Sequence, residues 1–254
     1  MLHSLNRRRK ENFVSSINSI GVKGAALPAF DPVTYDAANL LGLWDGDLNT
    51  AGVAWLDLVA SYPLTFGTTG VPTWSIVPGG LNGHDYIQFA QAGSGATGSY
   101  AQGVLPVRPQ PTTQYLVFKN DSHLGNKFSC DDGVVTLRNA VRAIAPSPNI
   151  RYTSVAAGTS PLSNSPALGT FIVLTIVKQA GVLQSKEQIN LNAPDVYTQP
   201  ALLNDAGLTL NSNSLLGIFS FLDSAWAYII LRNGADSVAD QNLYINYLMA
   251  RFGL

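Results

Sequence analysis

Tyr115-Leu116-Val117-Phe118 and Phe171-Ile172-Val173-Leu174 are unbroken apolar runs, each closed off by polar or turn-forming residues. Runs this short and this apolar read as strands covered on both faces. Gln188-Ile189-Asn190-Leu191-Asn192 behaves differently, because its apolar side chains alternate with amides as they do in a sheet with one wet face. Two antiparallel sheets packed on each other accommodate both patterns.

Working outward, residues from Leu40 onward are short β-branched and aromatic runs broken by Gly, Pro, Asn and Asp, the pattern of an all-β domain. Further strands are expected at Leu41–Trp44, Ala54–Leu58, Thr73–Val77, Tyr86–Phe89, Val134–Arg138, Ile150–Ser154, Leu208–Leu210, Leu215–Phe221 and Ala225–Arg232. One helix closes the chain. Ser237-Val238-Ala239-Asp240 fits a capping box, Leu243, Tyr247 and Arg251 form one stripe with Tyr244, Leu248 and Phe252 beside it, and Gly253 is a natural terminator.

Composition narrows the function. The 254 residues are 46% apolar and only 12% charged, with 15 Lys+Arg against 16 Asp+Glu. That describes a globular protein with a polar, nearly uncharged surface. Nucleic-acid binding through a basic stripe is disfavoured, and no apolar run reaches the roughly 20 residues that span a bilayer. The single Cys130 excludes an intramolecular disulfide and a Cys-rich metal site.

Residues 1–38 read as an extended arm and 39–254 as the folded domain. Arg7, Arg8, Arg9 and Lys10 leave residues 11–254 with 11 positive and 16 negative charges. With Phe13 and Ile17 they form the candidate assembly anchor, a segment able to order against a partner.

Leu43-Trp44-Asp45, Trp55-Leu56-Asp57, Leu64-Thr65, Asn82-Gly83 with Ile87-Gln88-Phe89, and the end from Ala225 through Asp236-Ser237 to Phe252-Gly253-Leu254 together resemble concanavalin A-like, laminin-G-like jelly-roll domains of bacterial and phage surface proteins. The resemblance implies a jelly-roll sandwich with an N-terminal arm and a C-terminal helix. It further implies a non-enzymatic virion structural protein, used for capsid decoration or tail-fibre adhesion, that binds other virion proteins (capsid, portal or tail), forms homo-oligomers in the assembly and contacts a host-surface glycan. The alternative on the same fold is a carbohydrate-binding or carbohydrate-active protein.

No residue is assigned a catalytic role. Glycoside hydrolysis needs two carboxyl groups flanking the scissile bond. The catalytic Glu-x-Asp-x-x-Glu pattern of jelly-roll glucanases is missing, the only glutamates being Glu11 and Glu187. Asp45, Asp47 and Asn49 alternate as oxygen donors to a calcium ion would, although turn chemistry explains them equally well. Gly93 to Gly98 spells a dinucleotide fingerprint without the helix that motif must open. His84 and His123 read as solvated turn residues. Trp44, Trp55 and Trp226 belong to the core, which leaves Trp74 as the candidate for stacking on a sugar ring.

Overall fold

The computed structural model describes residues 30–48, 54–60, 62–70, 73–92, 97–122, 127–131, 139–143, 150–154, 158–159, 166–181, 183–198, 207–212 and 223–254. In chain order the strands are β1 (Leu40–Asp45), β2 (Ala54–Trp55), β3 (Leu64–Thr69), β4 (Ser75–Leu81), β5 (His84–Phe89), β6 (Gln91–Ala92), β7 (Thr97–Gly103), β8 (Thr112–Asn120) and β9 (Lys127–Asp131). They continue as β10 (Asn139–Ala143), β11 (Ile150–Ser154), β12 (Gly158–Thr159), β13 (Ile172–Lys178), β14 (Gln184–Ile189), β15 (Asp195–Thr198), β16 (Leu208–Leu210) and β17 (Ser224–Asn233), followed by helix α1 (Val238–Phe252).

Two antiparallel sheets form a jelly-roll sandwich. The eight-stranded sheet runs β15-β14-β13-β8-β17-β5-β4, with β1 also paired to β17. The nine-stranded sheet runs β12-β11-β10-β9-β16-β7-β3-β2, with β6 on β7. Leu116, Phe118, Ile172, Leu174 and Ile176 point between the sheets, while Tyr115, Val117 and Val173 point the other way, onto α1. The unbroken apolar runs therefore mean what their sequence implied, since α1 covers the second face of the central strands.

β17 needs a bulge to serve both cores. Trp226 pairs with Phe118 and Tyr228 with Val117, so Ala227 is the extra residue and the inward phase resumes at Ile229 and Leu231. Along its other edge β17 pairs with β5 at Ser224 to Trp226 and with β1 from Tyr228 to Arg232. A two-residue Asn82-Gly83 turn joins β4 to β5, both residues at positive φ (51° and 84°), as the favoured hairpin geometry requires.

The Ser237 hydroxyl accepts from the Asp240 N–H at 3.2 Å and donates to its Oδ2 at 2.7 Å. Gly253, in the left-handed region, ends the helix, and the Leu254 N–H closes onto the Met249 carbonyl at 3.0 Å. Tyr244, Ile245, Tyr247, Leu248 and Phe252 face the sheet. Leu243, expected on the apolar stripe, is exposed, because the covered face is centred nearer Tyr244 and Leu248.

Other expectations are corrected. β14 ends at Ile189, Asn190 takes a positive φ of 52°, and Leu191 is 51% exposed, so the alternating pentapeptide is half strand and half turn. Only Ala54–Trp55 of the expected Ala54–Leu58 strand is extended, and Asp57 forms a single bridge with Trp44. Residues 134–138 and 215–221 lie outside the described residues. At the start of the domain, Phe30 packs edge-on against Tyr244 (4.8 Å) and Asp36 reaches Arg232 at 2.7 Å. Residues 30–38, expected in the arm, are thus strapped onto α1 and β17. Arg7, Arg8, Arg9, Lys10, Phe13 and Ile17 lie outside the described residues.

Candidate functional site

The charged residues of the helix side neutralise one another. The 3-10 turn Gly46–Leu48 brings Asp47 beside Asp45, and Arg251 enters from the last turn of α1. Arg251 Nη2 donates to Asp45 Oδ2 at 2.8 Å and to Asp47 Oδ2 at 2.7 Å. His84 Nδ1 lies 2.6 Å from the same Asp47 oxygen, while the Asp85 N–H donates to Asp47 Oδ1 at 2.7 Å. Burial pushes the Asp45 carboxyl up to about 6 against the pull of Arg251. Asp47 also bears a burial cost, but the His84 contact, the Asp85 N–H and Arg251 together hold it below the usual carboxylate range.

The cation that meets these two carboxylates is therefore a guanidinium of the chain itself. Asn49, the third expected calcium donor, lies outside the described residues, and no group of three or more metal-ligating side chains occurs among the described residues. His84 is buried beneath Phe252 rather than solvated, which corrects its reading as a turn histidine. The reason is tertiary, since a residue 37 positions away in sequence supplies its partner.

A second buried group lies at the other end of α1. Arg232 donates through Nε to Asp236 and through Nη2 to Asp36, while the Tyr115 hydroxyl donates to Asp236 Oδ2 at 2.7 Å. Other carboxylates hold loops: Asp57 accepts from the N–H groups of Leu43, Val59, Ala60 and Tyr62. Glu187 is fully buried and accepts from the Ser185 hydroxyl at 2.9 Å. Asn120, the acceptor position of a glycosylation triplet, is buried and closed to modification.

The uncharged side of the molecule is organised differently. β2 pairs only with Leu64 and Thr65, so beyond Thr65 strand β3 is the sheet edge among the described residues. Trp74, just before the opposite edge strand β4, stacks on Phe66 at 4.2 Å and 23°. That contact staples the two sheets along their shared edge and leaves both rings half-buried. On the outer face Tyr100 lies opposite Gly67, and a Cβ added to Gly67 would meet the Tyr100 ring at 2.5 Å. The glycine is what lets the aromatic ring lie across the strand. Thr65 is exposed alongside, and Gln102 donates to Thr209 Oγ1 at 3.2 Å on the same face. No charged residue occurs in β3, β7 or residues 73–77.

Trp44, Trp55 and Trp226 are core residues with their N–H groups bonded to Tyr62 O, Asp45 O and Ser224 Oγ. Thr97 and Gly98 of the glycine-rich stretch open strand β7 rather than a helix, so no phosphate-binding N-terminus is formed there. Sequence reasoning passed over Tyr100 because it sits among Gly, Ser, Ala and Gln, where strand propensity is weak. The one available signal was its alternation with Ser99 and Ala101 on the opposite face.

These features define a two-sheet jelly-roll sandwich with an uncharged stretch at β3 and β7. No protein-family model and no curated protein matches the chain. Solved structures share the fold. Domain 4 of the GH43 extracellular arabinanase AbnA from Geobacillus stearothermophilus, solved with arabinotriose, matches with a TM-score of 0.61 at 12% identity, over 84% of this chain and 98% of that one. A botulinum neurotoxin type C structure, described as depending on two ganglioside molecules for cell entry, matches with a TM-score of 0.61 at 10% identity over 83% of this chain and 51% of that one. Trypanosoma rangeli sialidase with sialic acid matches with a TM-score of 0.58 at 15% identity over 89% of this chain, which spans 34% of the sialidase.

Proposed function

We propose that this chain is a non-catalytic carbohydrate-binding module whose contact surface is the outer face of β3 and β7 around Tyr100, reaching to the sheet edge where Trp74 stacks on Phe66. The observation that carries this reading is the half-buried Tyr100 ring lying across Gly67 beside Gln102 and the exposed Thr65, with no charge in the strands that bear them. Aromatic faces take the apolar face of a sugar ring, and neutral hydroxyl and amide groups suit its hydroxyls. Fold neighbours solved with or described by saccharides and gangliosides support the reading at the level of architecture.

The non-catalytic part is supported by the carboxylates. Asp45, Asp47, Asp57, Asp236 and Glu187 are each held by the chain's own donors. Most glycosidases use two carboxyl groups flanking one substrate bond. The virion role expected from the sequence rests on the resemblance and on residues 1–29, which the structure does not describe.

The test is calorimetry of the full chain with neutral oligosaccharides, arabinotriose first. A ring that buries about 50 Å² of apolar surface contributes roughly tenfold in affinity. Trp74→Ala and Tyr100→Ala are each expected to weaken binding by about that factor while Leu191→Ala does not. Equal affinity in all three variants would refute this contact surface.

A further inference from the structure

The two faces of α1 differ in what meets them. Tyr244, Ile245, Tyr247, Leu248 and Phe252 pack on the sheet, and the two charged side chains of the helix, Asp240 and Arg251, turn to the strap and to Asp45 and Asp47. The outer face is Val238, Ala239, Asn242, Leu243, Asn246 and Ala250, with Val238 65% and Leu243 41% exposed. None of these is charged, whereas the solvent face of a surface helix ordinarily carries charged residues. Ala239, Leu243, Asn246 and Ala250 recur at spacings of four, three and four, which make a seam along which a second helix packs.

The chain enters the described fold beside this seam. The Phe30 ring meets Tyr244 at 4.8 Å and Tyr247 at 5.7 Å, and the Tyr35 hydroxyl donates to Asp240. Leu243 and Ala250 are the i−4 and i+3 neighbours of Tyr247, so they flank the ring on which Phe30 rests. Residues 1–29 lie outside the described residues, but their sequence supplies a match. Between Glu11 and Lys23 it carries no charge, and Phe13, Ile17 and Ile20 recur there at spacings of four and three. The nine residues 21–29 reach up to about 30 Å, while the 15 residues of α1 span about 22 Å. The uncharged stretch can therefore lie against any part of the helix.

We propose that residues 13–20 of this chain pack as a short helix along the outer face of α1, setting Phe13, Ile17 and Ile20 against Ala239, Leu243, Asn246 and Ala250. Neither side has a charge to desolvate. Alanines at both ends of the seam allow close approach, and Leu243 supplies an apolar knob between them. A helix this short is marginal alone in water, so the segment orders only against a surface that covers its apolar side. The inference stands apart from the carbohydrate-binding reading. It brings Arg7 to Lys10 to the helix side of the eight-stranded sheet and leaves Tyr100, on the nine-stranded sheet, clear.

The experiment is hydrogen exchange of the full chain, read by mass spectrometry on peptides covering residues 12–22. Their amides are expected to exchange at least about tenfold more slowly than those of an unstructured chain. Leu243→Asp, at an exposed position, should remove that protection and leave Tyr115–Phe118 protected, while Leu191→Asp, exposed on another part of the molecule, should change neither. The reciprocal readout is hydroxyl-radical labelling of Leu243, which should rise several-fold in Ile17→Asp.

Exchange of residues 12–22 at the unstructured rate in the wild type overturns the inference, as does protection that survives Leu243→Asp. If Leu243→Asp also loses the protection of Tyr115–Phe118, the Ile17→Asp labelling decides, and no rise at Leu243 overturns the inference. Light scattering shows whose segment is bound. A monomer whose protection is the same at every protein concentration supports docking within one chain. Protection that falls on dilution together with a dimer overturns it in favour of a segment from a second copy. A dimer that Leu243→Asp abolishes, with residues 12–22 unprotected throughout, overturns it in favour of α1 pairing directly with its copy.

Discussion

The two sheets of this sandwich have opposite chemistry. The central strands β8, β13 and β17 of the eight-stranded sheet are buried on both faces, between the inter-sheet core and α1, and the clusters around Arg232 and Arg251 tie them to the helix and to the 30–39 strap. The β3–β7 part of the nine-stranded sheet is built from Gly, Thr, Ser, Ala, Gln and a few aromatics, and has no charge. The buried ion pairs are concentrated on the first, and the uncharged surface with Tyr100 on the second. The arrangement makes physical sense: charge pairs specify how a helix docks, while a flat glycine-rich strand lets an aromatic ring lie close to the backbone.

The sharpest way to break that contrast is to hollow the shared core. Trp226→Ala, which removes a ring stacked on Phe118 at 4.6 Å, should cost about 3–5 kcal/mol in chemical denaturation. Trp74→Ala, half-buried at the rim, should cost well under half of that, and equal losses would erase the distinction between core and rim tryptophans.

Next comes the helix anchor. Arg251→Met leaves Asp45 and Asp47 without their guanidinium and should cost about 3 kcal/mol at pH 7. The loss should shrink near pH 5, because Asp45 can then become neutral.

Asp45 itself sharpens the point through pH. Its folded pKa of about 6 lies above the ordinary 3.8, so the folded state binds the proton more tightly and Asp45's contribution to stability falls as pH rises from about 4 to 6. Asp47, held low, has the opposite slope and loses its contribution as pH falls. Replacing Asp45 by Asn removes only the first slope. Its stability relative to wild type should therefore improve by roughly 2–3 kcal/mol between pH 4 and 7, measured by urea unfolding. A difference that is flat with pH would show that Asp45 titrates normally.

Smaller effects complete the ranking. Ser237→Ala should cost about 1 kcal/mol through the lost helix cap. Thr65→Ser, on the exposed side of the nine-stranded sheet, should change stability by less than about 0.5 kcal/mol. A large effect there would mean that this face is packed against something.

Legibility in the sequence followed the same division. The runs at Tyr115 and Phe171, the long β17 and the capped helix were readable because burial on both faces leaves unbroken apolar stretches and capping leaves local signatures. β3 and β7 were missed, since an edge or half-covered strand rich in Thr, Gly and Ser carries little period-2 contrast. The site was less legible still. Asp45 and Asp47 were singled out as a pair, but their partner Arg251 is 204 residues or more away in sequence. Trp74 was singled out for its ring, and only the fold supplied Phe66 as the surface on which one of its faces rests.

By itself the sequence determined the all-β class, the packed pair of sheets, the closing helix and the low surface charge, because composition and short-range periodicity act over a few residues. Only the tertiary structure decided which cations meet which carboxylates, which face of the sandwich the closing helix covers, and that the Tyr100 ring lies across Gly67. Those outcomes depend on distances between segments far apart along the chain, set by strand order and by the bulge at Ala227 rather than by any local pattern.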